Sequence, residues 1–181
     1  VKREMLQNLT EYCRSINVDR TSVWTFAKHN TEKYSSVTRD TFLGFGVSAT
    51  TLLKESFKIN TFSIVEYINR IQVHQIPTSL TLNFTKRQRA VYYLFWSAYS
   101  MKINPDKFEK IVGEPLLKMY DMELYLAEKL GLIRKSGEIY ELTDKGAVIY
   151  HHIEQVYTNA YIDKMWNISR KVPFPDKIVM R

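Results

Sequence analysis

Between Thr85 and Tyr157 the sequence marks where helices start and stop, at intervals too short to leave many folds open. Thr85-Lys86-Arg87-Gln88 has the form of a capping box, in which a hydroxyl takes an N–H three residues on and the Gln side chain reaches back. Behind it Val91, Leu94, Phe95, Ala98 and Met101 recur at helical spacing and make one apolar face. Asn104-Pro105 starts a short helix with Phe108 and Ile111, proline at a first helical position losing an N–H that has no partner there anyway. Pro115 starts a third, with Leu117, Tyr120, Leu124 and Ala127 on one face and Gly131 as its stop. Leu132-Ile133-Arg134 and Ile139-Tyr140-Glu141-Leu142, on either side of Lys135-Ser136-Gly137-Glu138, read as a hairpin, and Thr143 caps a last helix through about Tyr157. One more helix, residues 61–71, opens on the capping pair Ser63 and Glu66, and Pro77 closes that region.

Helices followed by a two-stranded wing and another helix predict a mostly helical, winged-helix-like domain over residues 61–160. The preceding segment has a different grammar. Met5, Leu6, Leu9, Tyr12, Cys13 and Ile16 make residues 2–16 an amphipathic helix. Ser22-Val23-Trp24-Thr25-Phe26-Ala27 is rich in β-formers and reads as a strand, residues 28–40 as a polar loop, and residues 41–47 as a second strand ending in a glycine-bearing turn. Helix, strand, loop, strand is how an α/β domain ends, and two strands are too few for a sheet of their own. The expectation is therefore an α+β chain: residues 1–60 closing a domain whose other strands lie upstream, then the helical domain, then a tail, 161–181. That tail holds Pro173 and Pro175 and is expected to lie extended from Trp166.

Cys13 is the single cysteine, which excludes an internal disulfide and any cysteine-rich metal site, and suits a reducing, cytoplasmic setting. On the apolar stripe of its helix it reads as a buried, inert thiol. No stretch approaches the roughly 18 consecutive apolar residues of a membrane span. The net charge is +7 but spread without a like-charged block, as on a mixed, solvated surface. A winged helix raises nucleic-acid binding as a function. Residues 86–160, however, hold 11 basic and 10 acidic side chains, and the helix before the wing sets Lys118 and Lys129 against Asp121, Glu123 and Glu128. Phosphate neutralisation supplies most of the affinity for DNA, so a net acidic groove-reading helix argues against that function.

Gly44-Phe45-Gly46-Val47-Ser48-Ala49 matches G-x-G-x-x-A after an expected strand. Glycines there would let a phosphate or ribose approach the backbone, yet Glu66, at the spacing of a ribose-binding acid, falls inside a helix, and a tight turn is the simpler reading. His29, His74, His151 and His152 lack metal-ligand spacing, and no Ser-His-Asp or Cys-His arrangement is recognisable. Tyr92, Tyr93, Tyr99 and Tyr120 sit beside apolar neighbours, as core aromatics do.

Three stretches taken in order resemble the oxygen-independent coproporphyrinogen III oxidase family of radical S-adenosylmethionine proteins. Trp24-Thr25-Phe26-Ala27-Lys28 is similar to a Phe-Ala-Arg/Lys segment of that family. Phe42-Leu43-Gly44-Phe45-Gly46-Val47-Ser48-Ala49 is similar to its Leu-Gly-x-Gly-x-Ser-Ala turn, with Asn60 and Glu66-Tyr67-Ile68 where the family has an Asn and a Glu-Tyr pair. Leu130-Gly131-Leu132-Ile133 with Leu142-Thr143-Asp144-Lys145-Gly146 is similar to its closing pattern. The set spans roughly residues 2–160; the short loop of this sequence at 28–40 and its extra tail from Trp166 depart from the family's pattern.

The resemblance implies that residues 1–60 are the last helix and strands of a partial TIM-type barrel and that the parent protein is an enzyme decarboxylating coproporphyrinogen III oxidatively to protoporphyrinogen IX in haem biosynthesis. It implies S-adenosylmethionine and a [4Fe-4S] cluster in that parent. Gly44, Gly46, Val47, Ser48, Ala49 and Thr50 would border the S-adenosylmethionine adenine. The Cys-x-x-x-Cys-x-x-Cys motif is not in this sequence, so the chain reads as a C-terminal fragment, inactive alone, without metal, cofactor or catalytic residues of its own. Its partners would be the N-terminal part of the same protein and, in the parent, porphyrinogen or haem, with no membrane; the open sheet edge predicts self-association through residues 22–49, or cover from the helical domain and the tail, with Trp166 and Phe174 as the covering aromatics. Relatives that act as haem chaperones or haem-processing proteins, and a winged-helix DNA-binding regulator, are the alternative functions. After anaerobic reconstitution with iron and sulfide the isolated chain should show no iron–sulfur absorption, since one thiolate cannot hold a cluster that needs three or more; a stoichiometric cluster would overturn the fragment reading.

Overall fold

The computed structural model describes residues 2–28, 31, 40–176 and 178, so most of the loop expected over 28–40 lies outside the described residues. The chain forms two compact units, residues 1–38 with 90–153 and residues 39–89 with 154–181.

The first unit opens with helix α1 (Lys2–Ser15), followed by an antiparallel hairpin of β1 (Val18–Arg20) and β2 (Phe26–Lys28), in which Val18 faces Lys28 and Arg20 faces Phe26. The expected strand Ser22–Ala27 is thus largely a turn. The N–H groups of Thr21 and Ser22 both donate to Thr25 O, at 2.8 and 3.3 Å, and the Ser22 and Thr25 hydroxyls hydrogen-bond at 2.7 Å. Hydroxyl side chains that bond locally compete with a ladder, and here they win. The β-forming character of the segment is used differently: Val23, at the hairpin tip, is fully buried, and its N–H donates to Tyr99 O at 3.0 Å. Arg20 fixes the hairpin's other end. Its guanidinium donates to the Thr10 hydroxyl of α1, lies 5.2 Å from the Phe26 ring centroid and stands 3.9 Å from Asp144. Burial lowers its pKa, and the Asp144 charge opposes that shift.

The helical part follows the punctuation closely. Helix α3 (Lys86–Tyr99) starts on the Thr85 box: Gln88 N–H donates to the Thr85 hydroxyl at 3.3 Å, and Thr85 N–H donates back to the Gln88 side chain at 2.9 Å. Strand β6 (Lys102–Ile103) leads to α4 (Pro105–Val112), capped by the Asn104 side chain and closed by Gly113 at φ 79°. Helix α5 (Leu116–Lys129) ends before Gly131, and β7 (Ile133–Ser136) and β8 (Ile139–Leu142) form the hairpin. Strand β6 pairs with β8, giving a three-stranded sheet in the order β6-β8-β7. Helix α6 (Asp144–Tyr157) is capped by Thr143, whose hydroxyl accepts from Gly146 N–H at 3.0 Å. A Cβ on Gly146 would lie 1.9 Å from Leu132 O, so only glycine lets α6 begin this close to the start of the hairpin. Phe108 is fully buried at the centre, its ring edge-on to Tyr93 and Tyr120, and Ala90, Ile103, Leu116, Leu124, Ile133, Tyr140 and Leu142 pack around it. Val91 and Leu117, expected on the buried faces, are exposed instead; Ala90, Tyr93 and Leu116 take the inward positions.

In the second unit the expected strand 41–47 is not formed. Only Phe42 pairs, in an isolated bridge with Leu52 whose two hydrogen bonds are 3.0 and 2.9 Å. Beyond it the chain turns, because Gly46 stands at φ 105° and Gly44 passes over the Thr50 backbone. The strands here are β3 (Thr50–Leu52), β4 (Ser56–Asn60) and β5 (Thr78–Asn83), an antiparallel sheet in that order with an irregularity between Ile59 and Asn60. Helix α2 (Ile64–Gln72) lies between β4 and β5 in sequence, with Ser63 accepting from Glu66 N–H at 3.3 Å. Arg89, nearly fully buried, donates to the carbonyls of Lys54 (3.1 Å) and Asp40 (3.0 Å) and ties two loops together.

The tail is helical where it was expected to be extended. A π-helical turn, Thr158–Ile162, continues α6 into α7 (Asp163–Lys171), which ends two residues before Pro173. Proline disfavours helical conformation in the residue before it, and that sets the end. Trp166 meets Phe62 at 6.1 Å between ring centroids, and the Arg70 guanidinium sits 4.5 Å from the Phe174 ring centroid. The tail aromatics thus meet side chains at the two ends of the segment 62–70.

Burial pushes the Glu154 carboxyl up to about 7 from its ordinary 4.5. The fold favours the neutral form, so its contribution to stability is full below about pH 4.5 and is lost as pH rises through about 7. Melting temperature should accordingly fall between pH 5 and pH 8, and Glu154→Gln should flatten that fall; an unchanged slope in the variant would assign the dependence to other groups.

Candidate functional site

The six residues singled out in the sequence form one loop. Gly44, Gly46, Val47, Ser48, Ala49 and Thr50 run from the Phe42 bridge into β3. The loop is held from several directions. Gly44 N–H donates to the Thr51 hydroxyl at 3.0 Å, and Gly46 N–H donates to the Tyr67 hydroxyl at 3.2 Å. Asn60 clamps the loop twice: its side-chain amide donates to Gly46 O at 2.9 Å, and its backbone N–H donates to Ala49 O at 2.9 Å. Ser48 N–H donates to Thr61 O at 2.9 Å, and Ala49 N–H closes a turn onto Gly46 O at 3.4 Å.

Both glycines have a steric reason, and the reasons differ. A Cβ on Gly44 would stand 2.1 Å from Thr50 O, inside backbone that cannot yield. Gly46 has open space where its Cβ would be, and there the constraint is φ 105°, a conformation that L side chains rarely adopt. Ser48, at φ 57°, takes the left-handed conformation without being glycine.

The arrangement decides against a dinucleotide cradle. Such a site needs free N–H groups and a helix N-terminus behind the glycines. Here the N–H groups of Gly44, Gly46, Ser48 and Ala49 bond to the protein, and the loop continues into a strand. What the loop exposes is Phe45, 87% exposed, with Gly46 and Val47 half-buried beside it. Asn60 and Tyr67 enter the site as the props of the loop. Thr51 and Thr61 had no sequence signal, because a lone threonine hydroxyl or carbonyl acquires its role only from the register of β3 on β4.

The remaining candidates do not gather. Cys13 is buried on α1. His151 is 5.0 Å edge-on to Trp24, His152 is exposed, His74 lies beyond α2 at φ 57°, and His29 is outside the described residues. Among the described residues no group of three or more His, Cys, Asp or Glu could hold a metal ion, and no helix is long and apolar enough to cross a membrane.

No protein-family model matches the chain, and no curated protein matches it. Among solved structures it is similar to the coproporphyrinogen III oxidase of Escherichia coli, described as a radical SAM enzyme. The likeness has a TM-score of 0.59 at 15% sequence identity and covers 82% of this chain but 38% of that one. At this identity it is a likeness of fold. The chain thus spans well under half of the protein it matches.

Asn60→Ala removes a donor from a carbonyl at the loop's sharpest point and should destabilise the second unit by about 1–3 kcal/mol. Tyr67→Phe, which takes away a single acceptor at 3.2 Å, should cost less, about 1 kcal/mol. Chemical denaturation of both variants checks the order, and equal effects would show that Asn60 does not clamp the loop.

Proposed function

We propose that this chain is the C-terminal part of a radical S-adenosylmethionine protein of the coproporphyrinogen III oxidase kind and does no redox chemistry alone. The observation that carries the proposal is the fold likeness over 82% of the chain, which agrees with the ordered set of sequence resemblances at Trp24–Lys28, Phe42–Ala49 and Leu130–Gly146. In the whole protein the reaction is the oxidative decarboxylation of coproporphyrinogen III to protoporphyrinogen IX, in the cytoplasm.

On this reading α1 and the segment through residue 60 close a partial TIM-type barrel. The exposed stripe Met5, Leu9, Tyr12 and Ile16 on α1 supports that, since an amphipathic helix with its apolar side open suits a surface that another part of the protein covers. The domain from α3 to α6 is winged-helix-like; the sheet order β6-β8-β7, with α4 and α5 between β6 and β7, supports it. A nucleic-acid role for that domain finds no support in the charges of α5.

The residues present do not fit a [4Fe-4S] cluster: the one thiol in the sequence is buried on a helix, far too few for the ligand set. Toward S-adenosylmethionine, which supplies radical chemistry when bound with a cluster, this chain contributes a border. Gly44, Gly46, Val47, Ser48, Ala49 and Thr50 form a loop of small side chains whose shape Asn60 and Tyr67 fix before any ligand arrives.

The test joins the chain to its upstream sequence. A longer protein carrying Cys-x-x-x-Cys-x-x-Cys should, under anaerobic conditions with a reductant and S-adenosylmethionine, convert coproporphyrinogen III to protoporphyrinogen IX, and the 181-residue chain alone should not. Haem binding without turnover by the longer protein would move the assignment to a haem chaperone. Turnover by the short chain would overturn it.

A further inference from the structure

Helix α5 has an outward face of unusual composition for the third helix of such a domain. Helix α5 is kinked at Tyr120 (φ −140°, ψ 28°), and beyond the kink Leu124 is buried and Ala127 packs against the core, which fixes the inward side. At about 100° per residue, Met122, Leu126 and Leu130 then form one outward stripe and Tyr125 with Lys129 the stripe beside it. Met122, Tyr125, Leu126 and Leu130 are all more than half exposed. The same rotation puts Asp121 and Glu128 along one border of this apolar face and Glu123 along the other.

The cations that could neutralise the borders are engaged. Lys118 is paired with Glu114 at 2.8 Å, and the Lys129 ammonium lies 5.5 Å from the Tyr125 ring centroid. Among the described residues Asp121, Glu123 and Glu128 make no ion pair, and all three are exposed. An apolar stripe framed by unpaired carboxylates repels a phosphate backbone and complements a surface of opposite pattern.

We infer that the outward face of α5 docks a protein segment: an amphipathic helix whose apolar side is bordered by lysine or arginine. Met122, Leu126 and Leu130, at i, i+4 and i+8, present the row of anchors that a helix laid along another helix packs against. The three carboxylates set orientation and select against acidic partners. The inference stands on α5 alone and does not depend on the reaction proposed above.

The probe is a synthetic amphipathic Leu/Lys helix, with a Leu/Glu helix of equal length and apolar face as its counterpart, titrated into the isotope-labelled 181-residue chain. Amide shifts should be confined to the outward side of residues 121–130, and the Leu/Lys helix should bind at least about tenfold more tightly than the Leu/Glu helix. Leu126→Glu and Met122→Glu should each weaken binding about tenfold or more without lowering the melting temperature, because both side chains are exposed. Replacing Asp121, Glu123 and Glu128 together by lysine should reverse the preference between the two peptides. Equal affinity for both peptides, shifts centred elsewhere, or tighter binding of duplex DNA than of the Leu/Lys helix would each overturn the inference. So would concentration-dependent dimerisation that Leu126→Glu abolishes, since the face would then belong to a second copy.

Discussion

The burial of Phe108 is the constraint on which the first unit depends. It sits on a helix of eight residues that could not persist alone, because helices this short are marginal in water. Its ring, fully enclosed, meets Tyr93 of α3 and Tyr120 of α5 edge-on. One side chain therefore sets the mutual positions of three helices. Truncating such a ring costs about 3–5 kcal/mol, a large fraction of the stability of a domain this size. The polar contacts then settle into the geometry that burial dictates: Tyr93 donates its hydroxyl to Asn104 O at 3.0 Å, and Tyr150 donates to Phe95 O at 2.8 Å. The N-terminal hairpin joins the same core through Val23, so a segment of different sequence grammar becomes part of the helical unit.

The second unit rests on hydrogen bonds more than on a large apolar core. Among its described residues the largest fully enclosed side chains are Leu52, Thr61 and Ser169; the Thr61 hydroxyl accepts from Ser63 N–H at 3.2 Å, whereas the Ser169 hydroxyl has no partner. Around them the backbone is satisfied by short strands, by Arg89 and by the Asn60 clamp. Gly46 O accepts from the Asn60 side-chain amide at 2.9 Å and from Ala49 N–H only at 3.4 Å, so Asn60 supplies its short bond, and this is why a loop with two glycines keeps one shape. The same bonds limit what the loop can do: amides given to Tyr67, Thr51 and Thr61 are not available to a phosphate. Shape and small side chains, not a ring of donors, are what this loop can present to a flat ligand.

Legibility in the sequence follows the range of the deciding interactions. The side-chain caps at Thr85, Asn104 and Thr143 are all formed, because a cap is settled within three or four residues by a side chain and a nearby N–H. The strands at 50–52, 56–60 and 78–83 carry little sequence signal, since runs of three to six residues have little periodicity and their pairing comes from partners elsewhere. Ser22–Ala27 and residues 41–47 had the composition of strands, yet local hydroxyl bonds turned the first into a hairpin tip and a positive φ at Gly46 turned the second into a loop. The tail misled through its prolines: Pro173 and Pro175 end a helix that Met165, Trp166 and Ile168 sustain before them. Of the loop site, Gly44–Ala49 with Asn60 and Tyr67 was legible as a motif, whereas the work each residue does was not, because it depends on which atoms the fold brings within 3.2 Å.

The exposed apolar side chains are distributed in a way that bears on what covers them. Burial of apolar surface is worth about 25 cal/mol per Å², so a sustained stripe on a helix is retained only where something offsets leaving it in water. Helix α1 exposes Met5, Leu9, Tyr12 and Ile16 along one line while Thr10 and Cys13 take the inward side. That inward side is polar at Thr10, which accepts from Arg20, so the helix is not simply turned the wrong way: its attachment is an ionic and hydrogen-bonded one through Arg14, Arg20 and Asp144. Helix α2 buries none of its residues, with Ile64, Val65, Ile68 and Ile71 exposed. Helix α5 differs from both in that carboxylates border its stripe on two sides, whereas on α1 Glu4 and Glu11 lie to one side of it. A purely apolar stripe asks for permanent cover, as an interior surface does; a stripe with unpaired charges along its edges tolerates water, and that is the composition of a surface that binds and releases.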